Sequence, residues 1–431
     1  MKYFFKTYGC QMNQNDSVLI ESLMATRGYG QAENIDQADL LIVNTCSVRA
    51  HAEARAGGFI ASLARWKRAR SDRVLCICGC MAQRYGVKLL ERYPWIDILI
   101  GPDRYRKIYD YLEEVRTKRS KVCDLSLTGE TYCGIKPFKT GTISSYVSIM
   151  RGCDNYCSFC IIPYLRGRAR SRPTDDIIDE IKSLIDQGVK EITLLGQNVN
   201  AYKFNKVHFA DLLEMINQIK GLLRIRFMTS HPADMSEEIL RAVAGLDKVC
   251  EYIHLPFQSG SDRILGLMNR KYSSAQYKEI VNIARNLIPG LALSTDVIVG
   301  FPTEAEDDYQ ATYRLMSEIE FDFAYMFKYS PHKETGAFRL EPKVDPAVAQ
   351  RRLDEIIRLQ NRITRQKNAG LIGQKVEVLI EGNSYDKKLM GKTRDNRMVI
   401  FEGKGNIGDL VWVQIEKLNG WTPVGFVVIT A

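Results

Sequence analysis

The sequence predicts an α/β protein in three parts: an amino-terminal domain on a parallel sheet, a central partial barrel of six βα units, and a small all-β barrel. Apolar strand-like runs alternate with helical runs from residue 1 to about 115, and the alternation resumes from 143 to about 330. The last sixty residues contain short strands separated by Gly, Asn and Asp turns. A chain of 431 residues is long enough for two or three domains, each with its own core.

In the amino-terminal part, residues 1–117, the strand candidates are YFFKT, DLLIV and VLCIC. Between them, SVLIESLMATRGYG and HAEARAGGFIASLARWKR have helical spacing, although Gly57 and Gly58 weaken the second helix. Strands that alternate with helices predict a parallel sheet. Residues 118–138 are basic, then rich in Thr and Gly, and show no apolar periodicity, so we expect a linker there.

The central part, residues 139–369, contains six strand candidates: SYVSIM, EITLL, RIRFMT, YIHLPF, LSTDVIVG and FDFAYMFKY. Helical runs lie between them; TDDIIDEIKSLIDQG, for example, has apolar residues at 177, 178, 181, 184 and 185 and ends in Gly. Six consecutive βα units predict a partial barrel of the TIM type, with its chemistry at the carboxyl ends of the strands. One charged helix is expected at 345–370, and five short strands in 370–431 predict the small barrel.

Charge and composition favour a polyanionic partner and exclude a membrane span. Lys and Arg number 60 against 51 Asp and Glu, and the excess is concentrated at residues 65–70, 116–121 and 166–172. Such runs are often solvated faces, but three of them make a polyanion the better interpretation. The short amino-terminal apolar stretch is not a secretory signal, and no run of 18 apolar residues exists, so we expect a cytoplasmic protein.

Cys153, Cys157 and Cys160 form a C-x3-C-x2-C triplet just after the first strand of the central part. Three thiolates on one loop can hold three irons of a 4Fe-4S cube and leave the fourth iron open for a ligand. Phe159 and Tyr156 would shield such a cluster from water. The alternative is a structural zinc site completed by Cys133 or a distant cysteine; it is less favoured because zinc knuckles usually contain two C-x2-C pairs.

A second set consists of Cys10, Cys46 and Cys80, each of which follows a strand candidate. The carboxyl ends of neighbouring parallel strands open onto one crevice, so these three could meet at one metal centre. Gly9 and Gly79 would allow tight backbone there. The spacing supports equally well three buried, inert thiols. Of the other cysteines among the eleven, Cys76 and Cys78 are expected inside a strand, and Cys123, Cys133 and Cys250 are taken as structural.

Several motifs together resemble a known family. The triplet, with an aromatic residue before its last cysteine, resembles the radical S-adenosylmethionine enzymes, and YGCQMN (8–13), NTCSVR (44–49) and CGCMAQ (78–83) resemble the methylthiotransferases. Further matches are RGRARSRP (166–173), LLGQNVNAY (194–202), TSHP (229–232), HLPFQSGSDRIL (254–265), DVIVGFPTE (296–304) and KTRDNRMVIF (392–401), the last at the start of a TRAM domain. The first motifs are most similar to the branch that modifies isopentenyladenosine in tRNA. KYSPHKETGAF (328–338) and KTRDNR depart from the common family forms, which affects the expected tRNA contacts.

The resemblance implies an enzyme with two 4Fe-4S clusters and S-adenosylmethionine that methylthiolates C2 of N6-isopentenyladenosine beside the anticodon. It implies that the cluster at 153, 157 and 160 binds and reductively cleaves S-adenosylmethionine, and that the resulting 5′-deoxyadenosyl radical removes the C2 hydrogen. The cluster at 10, 46 and 80 would hold the sulfur to be inserted, and a second S-adenosylmethionine would methylate it. The residues that it implies for cofactor binding are Gln197, Asn198, Gln258, Ser259 and Ser261, whose ordinary role in loops would be capping.

The implied partners are a tRNA anticodon stem-loop that carries isopentenyladenosine, and an electron donor such as a flavodoxin or a ferredoxin. The sulfur donor and any acid–base residue stay undetermined, and a monomer is expected. Two alternatives keep the chemistry but change the substrate, to threonylcarbamoyl-adenosine in tRNA or to ribosomal protein S12. A third is a non-catalytic, zinc-stabilised RNA-binding protein.

The last prediction from the sequence concerns cations of the carboxy-terminal barrel. Lys or Arg occurs at 375, 387, 388, 392, 394 and 397. On an RNA-binding barrel, Lys392, Arg394 and Arg397 would pair with backbone phosphates. The alternative is that these cations are solvated and that the barrel only packs against the core.

Overall fold

The computed structural model describes residues 1–47, 50–138 and 142–430. Val48 and Arg49 of the NTCSVR motif, the predicted domain boundary at 139 and the last residue lie outside this part. In the described ranges, no helix combines the length and the apolarity that a membrane span requires.

The amino-terminal domain is a parallel six-stranded sheet with the spatial order β2-β1-β3-β4-β5-β6. Its strands are β1 Lys2–Thr7, β2 Gly30–Gln31, β3 Leu40–Thr45, β4 Val74–Gly79, β5 Ile98–Ile100 and β6 Val122–Asp124. Its helices are α1 Gln11–Thr26, α2 Ala50–Ala69, α3 Cys80–Tyr85, α4 Val87–Arg92 and α5 Ile108–Lys118. One apolar core lies on each face of the sheet, because the central strands β3 and β4 are buried on both sides.

The predicted parallel sheet and its three strands are confirmed, and helix α2 forms in spite of Gly57 and Gly58. The structure adds β2, β5 and β6, which have only two or three residues and therefore leave no periodic signal. Strand β6 lies inside the predicted linker and pairs with β5. The first part of that segment therefore belongs to the sheet.

The central domain is confirmed as six parallel strands in a row. These are β7 Ser144–Ser148, β10 Glu191–Leu195, β13 Arg224–Phe227, β14 Tyr252–His254, β15 Ala292–Val299 and β16 Phe323–Lys328. They form two three-stranded sheets, joined where Ile225 of β13 bridges to Val249 just before β14. Four short strands form two separate two-stranded sheets: β8 Met150–Arg151 with β9 Arg170–Ser171, and β11 Lys203–Phe204 with β12 Val207–His208.

Helices cover this partial barrel and bury one large apolar core against it. The short helix α6 Ile162–Arg166 packs outside this core. The helices that contribute to it are α7 Thr174–Asp186, α8 Phe209–Asn217, α9 Glu237–Gly245, α10 Asp262–Leu267, α11 Ser274–Leu287, α12 Glu306–Ile319 and α13 Pro346–Ala369. Asp345 caps α13 through the amides of Ala347 and Val348, which agrees with the helix predicted at 345–370.

The carboxy-terminal domain is the predicted five-stranded closed barrel, with the order β17-β18-β19-β21-β20. Its strands are β17 Lys375–Asn383, β18 Leu389–Thr393, β19 Met398–Glu402, β20 Leu410–Asn419 and β21 Thr422–Thr430. Two arginines of β13 hold it against the core: Arg224 donates to the carbonyl oxygen of Lys392, and Arg226 donates to those of Thr393 and Arg394.

Candidate functional site

The first cysteine set lies at one edge of the amino-terminal sheet. Cys10, Cys46 and Cys80 follow β1, β3 and β4, which are consecutive neighbours in the sheet. The strand ends are in register, since Thr7 pairs with Asn44 and Thr45 pairs with Gly79. The parallel topology therefore brings together three cysteines that are up to seventy residues apart in sequence.

Glycine is required beside two of these cysteines. Gly9 has φ +145°, and a Cβ there would lie 2.8 Å from the Cβ of Cys46. Gly79 has φ +92°, and a Cβ there would lie 2.5 Å from the carbonyl oxygen of Thr45. Both positions combine a left-handed backbone with contact to another strand end, so only glycine lets the three chain segments approach so closely. The close approach of these strand ends shows that the three cysteine positions share one neighbourhood.

An amide network fixes the same edge. Asn13 in the first turn of α1 donates to Asn44 Oδ1 at 3.0 Å and to the Thr45 carbonyl at 3.1 Å, and Asn44 donates back to the Asn13 carbonyl at 2.9 Å. Cys10 is the N-cap of α1, and its thiol donates to Asn13 Oδ1 at 3.4 Å. A thiolate at this position would gain from the positive end of the helix.

The second set, Cys153, Cys157 and Cys160, lies on the loop that follows β8. The loop closes on itself because the amide of Cys160 donates to the Cys157 carbonyl and that of Cys153 donates to the Gly167 carbonyl. Burial raises the pKa of Cys153, and it raises that of Cys160 to about 12, with further upward contributions from the neighbouring thiols. The Cys157 thiol contributes to the rise at both Cys153 and Cys160, so the three side chains lie close together, and a bound metal ion would displace the protons of the thiols that hold it.

Two residues outside the triplet hold this loop. Gln197 accepts the amide hydrogen of Gly152 through Oε1 at 2.6 Å, and Gly152 has φ +75° with the Arg168 carbonyl where a Cβ would be. Arg270 donates to the Cys157 sulfur at 3.4 Å and, from its other nitrogens, to the Pro256 carbonyl and the Tyr272 hydroxyl. No motif in the sequence pointed to Arg270, which reaches the triplet from the loop after α10.

The two cysteine sets belong to neighbouring domains that meet at α6. The Cys80 side chain, 1% exposed, packs against Ile161 and Leu165 in and beside α6, the helix directly after the triplet. Arg166, at the end of α6, lies beside the Cys80 thiol: burial raises the pKa of this thiol, and the guanidinium opposes that rise. Cys80 of the first set is thus in contact with Ile161, the residue directly after Cys160 of the second set.

A buried ionic network joins the same two domains. Asp16 of α1 is fully buried and binds Arg151 at 2.5 Å and Arg166 at 2.9 Å. Burial alone would raise the pKa of Asp16, but the two guanidinium groups hold it below its ordinary value. Arg151 also stacks 4.6 Å above the ring of Tyr132. Arg151 and Arg166 flank the triplet in sequence, so their motif pointed to them, whereas nothing marked Asp16.

The zinc alternative loses its nearby fourth ligand. Cys133 is exposed and lies beside Asp176 of α7, where its thiol approaches the carboxylate. In the described ranges, no group of three or more Cys, His, Asp or Glu side chains is placed so that it could hold a metal ion, and no disulfide joins the eleven cysteines. The predicted positions of Cys76 and Cys78 inside β4 are confirmed.

The five residues expected to bind the cofactor have different environments. Ser259 contacts Thr312, and Ser261 donates to Asp308 at 2.6 Å and caps α10, so both hydroxyls have the loop-capping role. Asn198 donates to Asp234 at 2.6 Å. In the described structure, Asn198 Oδ1 and Gln258 Oε1 are buried without a hydrogen-bond partner. Buried carbonyl oxygens of this kind are available to a ligand.

Two acidic residues in the matched motifs are less specific. Glu304 accepts from the Gly300 amide and binds Arg352, each at 2.7 Å, which is a structural role. Asp296 lies 3.7 Å from His254 on the adjacent strand. His231, in the matched TSHP motif, is buried next to Arg270; burial and that cation lower its pKa to about 3, so it is neutral.

The two aromatic residues of the triplet loop and the basic run after it have different surroundings. The Tyr156 ring is 45% exposed, whereas Phe159 packs against the cluster that contains Ile264 and Phe301. Shielding of a metal cluster by these two rings stays a prediction. In the basic run at 166–172, only Arg168 remains well exposed. The others bind carboxylates: Arg166 to Asp16, Arg170 to Asp103, and Arg172 to Asp176 and Glu180.

The predicted phosphate contacts of the barrel are also corrected. Arg394 binds both oxygens of Glu251, at 2.8 and 2.7 Å, and Arg397 is 7% exposed and binds Asp322. Lys392 binds Glu381 within the barrel at 3.1 Å. These cations face the core or a neighbouring strand, so the alternative of a packed barrel describes them better than phosphate binding does.

Comparisons with known proteins agree with this architecture. Residues 2–101 match the uncharacterized protein family UPF0004, residues 147–316 the Radical SAM superfamily, and residues 371–425 the TRAM domain. A tRNA-2-methylthio-N(6)-dimethylallyladenosine synthase from Clostridium botulinum (strain Loch Maree / Type A3) is 42% identical, over 98% of this chain and 96% of its own. The enzyme of that name from Thermoanaerobacter pseudethanolicus is 43% identical, over 99% and 92%.

Solved structures show the same fold at low identity. The radical S-adenosylmethionine methyltransferase TsrM from Kitasatospora setae, with cobalamin and a [4Fe-4S] cluster bound, has a TM-score of 0.59 at 14% identity, over 78% of this chain and 74% of that one. The cobalamin-dependent radical enzyme OxsB has a TM-score of 0.51 at 13% identity, over 83% and 55%.

Proposed function

This chain belongs to the family of tRNA-2-methylthio-N(6)-dimethylallyladenosine synthases, radical S-adenosylmethionine enzymes with 4Fe-4S clusters, and from that premise we propose how its residues divide the work. The reaction is methylthiolation of C2 of N6-isopentenyladenosine next to the anticodon in tRNA. The observation that supports the proposal is the contact of Cys80, in one cysteine set, with Ile161, the residue directly after Cys160 of the other set. One enzyme can then activate a C–H bond and supply sulfur at the same place.

Cys153, Cys157 and Cys160 are the residues that would hold the cluster to which S-adenosylmethionine binds. When bound, this pair supplies reactivity toward an unactivated C–H bond, which no side chain could provide. The chain's own contribution is to hold and orient. Gln197 fixes the loop through Gly152, and Arg270 places a positive charge against the Cys157 sulfur, where the ligands carry negative charge.

Cys10, Cys46 and Cys80 would hold the second cluster, which carries the sulfur for insertion. Cys46 and Cys80 are 3% and 1% exposed, whereas Cys10 is exposed, so the site is closed to water on two sides and open on one. The donor set fits iron and sulfur, because the ligands are thiols and only glycine stands where their strands meet.

Asn198 and Gln258 are the two predicted cofactor residues that we retain. Each has a buried side-chain oxygen available to a donor such as an amino or hydroxyl group of S-adenosylmethionine. Gln258 is held in a left-handed conformation, φ 68°, by backbone bonds to Asp296 and Ile298. We do not assign Ser259 and Ser261 to the cofactor, since their hydroxyls cap the loop.

We further propose that the protein works as a monomer in the cytoplasm, where its tRNA substrate is found, and receives electrons from a flavodoxin or a ferredoxin. The test of the function is mass spectrometry of tRNA nucleosides. A strain that lacks the gene should accumulate N6-isopentenyladenosine and lose its 2-methylthio derivative, and the wild-type gene should restore it. Loss of the methylthio group from threonylcarbamoyl-adenosine or from ribosomal protein S12 instead would contradict the proposal.

A further inference from the structure

Two aromatic rings, one on the triplet loop and one on the helix that follows it, face solvent. Tyr156, directly before Cys157, is 45% exposed, and Tyr164 of α6 is 47% exposed. Their centroids are 6.2 Å apart and the rings are perpendicular. Among the described residues 142–370, the only other large aromatic side chain that is exposed is Tyr325. A touching pair of exposed rings is therefore specific to the loop that carries the cysteines.

The backbone holds Tyr156 outward. Its φ is 46°, in the left-handed region that is unfavourable for a residue other than glycine. Asn269 stabilises this conformation by donating Nδ2 to the carbonyl oxygens of Tyr156 and Asn155, at 3.0 and 3.2 Å. A tyrosine that only filled space would relax into the core. Strain that keeps an apolar ring in water indicates a role for the ring surface.

The charge around the pair favours a nucleic acid. Arg168 lies near Tyr156, and its side chain is 80% exposed, paired only with the exposed Asp154. An exposed pair of this kind is weak and can exchange for a phosphate. Aromatic faces bind unstacked bases, and a neighbouring cation binds the backbone that joins them. Both features lie at the loop where the target base has to be presented.

We propose that Tyr156 and Tyr164 form a stacking platform for bases of the RNA loop that flank the target adenosine. This inference rests on the proposed function and adds the element that receives the unstacked loop. The perpendicular arrangement leaves a face of one ring open to solvent while the other ring supports it at its edge. A base stacked on the Tyr156 ring would contact the residue directly before Cys157.

The test uses the anaerobically reconstituted full-length enzyme and an isopentenylated anticodon stem-loop with 2-aminopurine beside the target adenosine. Tyr156→Ala and Tyr164→Ala should each raise the Kd by about 5- to 150-fold, the range expected for loss of one stacked base, and should reduce the quenching of 2-aminopurine. Tyr156→Phe and Tyr164→Phe keep the rings and should bind like the wild type. Phe138→Ala removes a ring that is 69% exposed away from the triplet and is the matched control.

Salt dependence separates stacking from charge. The alanine variants should keep the wild-type slope of log Kd against log salt, whereas Arg168→Ala should flatten it. Iron content and S-adenosylmethionine cleavage without RNA report whether each variant is intact. If Tyr156→Ala loses its cluster, Tyr164→Ala still tests the platform, because Tyr164 lies outside the triplet. Binding of Tyr164→Ala within twofold of the wild type, with unchanged quenching, would overturn the platform. Failure of the wild type to bind the stem-loop would instead overturn the proposed function.

Discussion

Removal of the Asp16 carboxylate tests the buried network between the first two domains. In Asp16→Asn the shape is kept, but Arg151 and Arg166, each 2% exposed, lose their shared counter-charge. Loss of one partner from a buried pair typically costs about 3–5 kcal/mol, because the remaining charge stays desolvated. We therefore expect the free energy of unfolding to fall by about that amount. Urea unfolding measures it, and hydrogen exchange should show α1 and the triplet loop opening first.

The control is Glu114→Gln, which breaks the exposed pair between Glu114 and Lys118 on α5 and should cost less than about 0.5 kcal/mol. A double variant, Asp16→Asn with Arg151→Met, should lose less stability than the sum of the two single variants, since one unpaired charge is removed. A loss below about 1 kcal/mol in Asp16→Asn would mean that the two guanidinium groups do not depend on this carboxylate, and the argument would fail.

Three further predictions concern the clusters, the barrel and pH. Cys157→Ala should abolish both S-adenosylmethionine cleavage and tRNA modification, whereas Cys46→Ala should keep some cleavage and stop sulfur insertion. Equal loss of cleavage in the two variants would contradict this division of roles between the cysteine sets. The iron content of the wild-type enzyme should approach about eight per chain. Arg394→Ala should raise hydrogen exchange in 371–430 without changing iron content, because it removes the bond to Glu251; Lys388→Ala, which breaks the exposed pair with Glu402, is its control. Burial would raise the pKa of Asp124, but hydrogen bonds from Tyr111, Ser126 and Arg104 lower it to about 2. Its folded pKa lies below the unfolded value, so its stabilisation is present above about pH 4 and is lost toward pH 2; the stability gap between wild type and Asp124→Asn should shrink over that range.

The strands that could be predicted are those with a strong apolar signal. The sequence predicts all six main strands of the central domain and the five of the small barrel, because each has at least two alternating or continuous apolar residues between turn signals. Strands β5 and β6 were missed because three residues show no period. The parallel order of the strands also brings together three cysteines that the sequence pattern alone connects only weakly. Cys10, Cys46 and Cys80 share nothing in sequence except that each follows a strand.

The partners of charged residues could not be predicted in the same way. A strand period tells which residues share a face, but not whether that face meets water or another domain. Arg394 and Arg397 were therefore assigned to phosphate, although both point at carboxylates of the core. Asp16 illustrates the converse case. In the sequence it is an ordinary polar residue at the start of a predicted helix. Its role as the shared counter-charge of Arg151 and Arg166 is visible only in the folded structure.

The ionic contacts between domains bear on how substrate reaches both cysteine sets. Asp16 fastens the first domain to the triplet loop, and Cys80 packs on the helix that follows the triplet. Arg224 and Arg226 fasten the barrel to β13. Opening either interface would break these ion pairs and hydrogen bonds and expose the Cys80 side chain and α6 to water, so we expect both interfaces to stay closed. In the proposed function, the adenosine has to reach both cysteine sets while these domains stay in place. It is then the RNA loop that must unstack and change shape, and the proposal requires a surface that receives the unstacked bases.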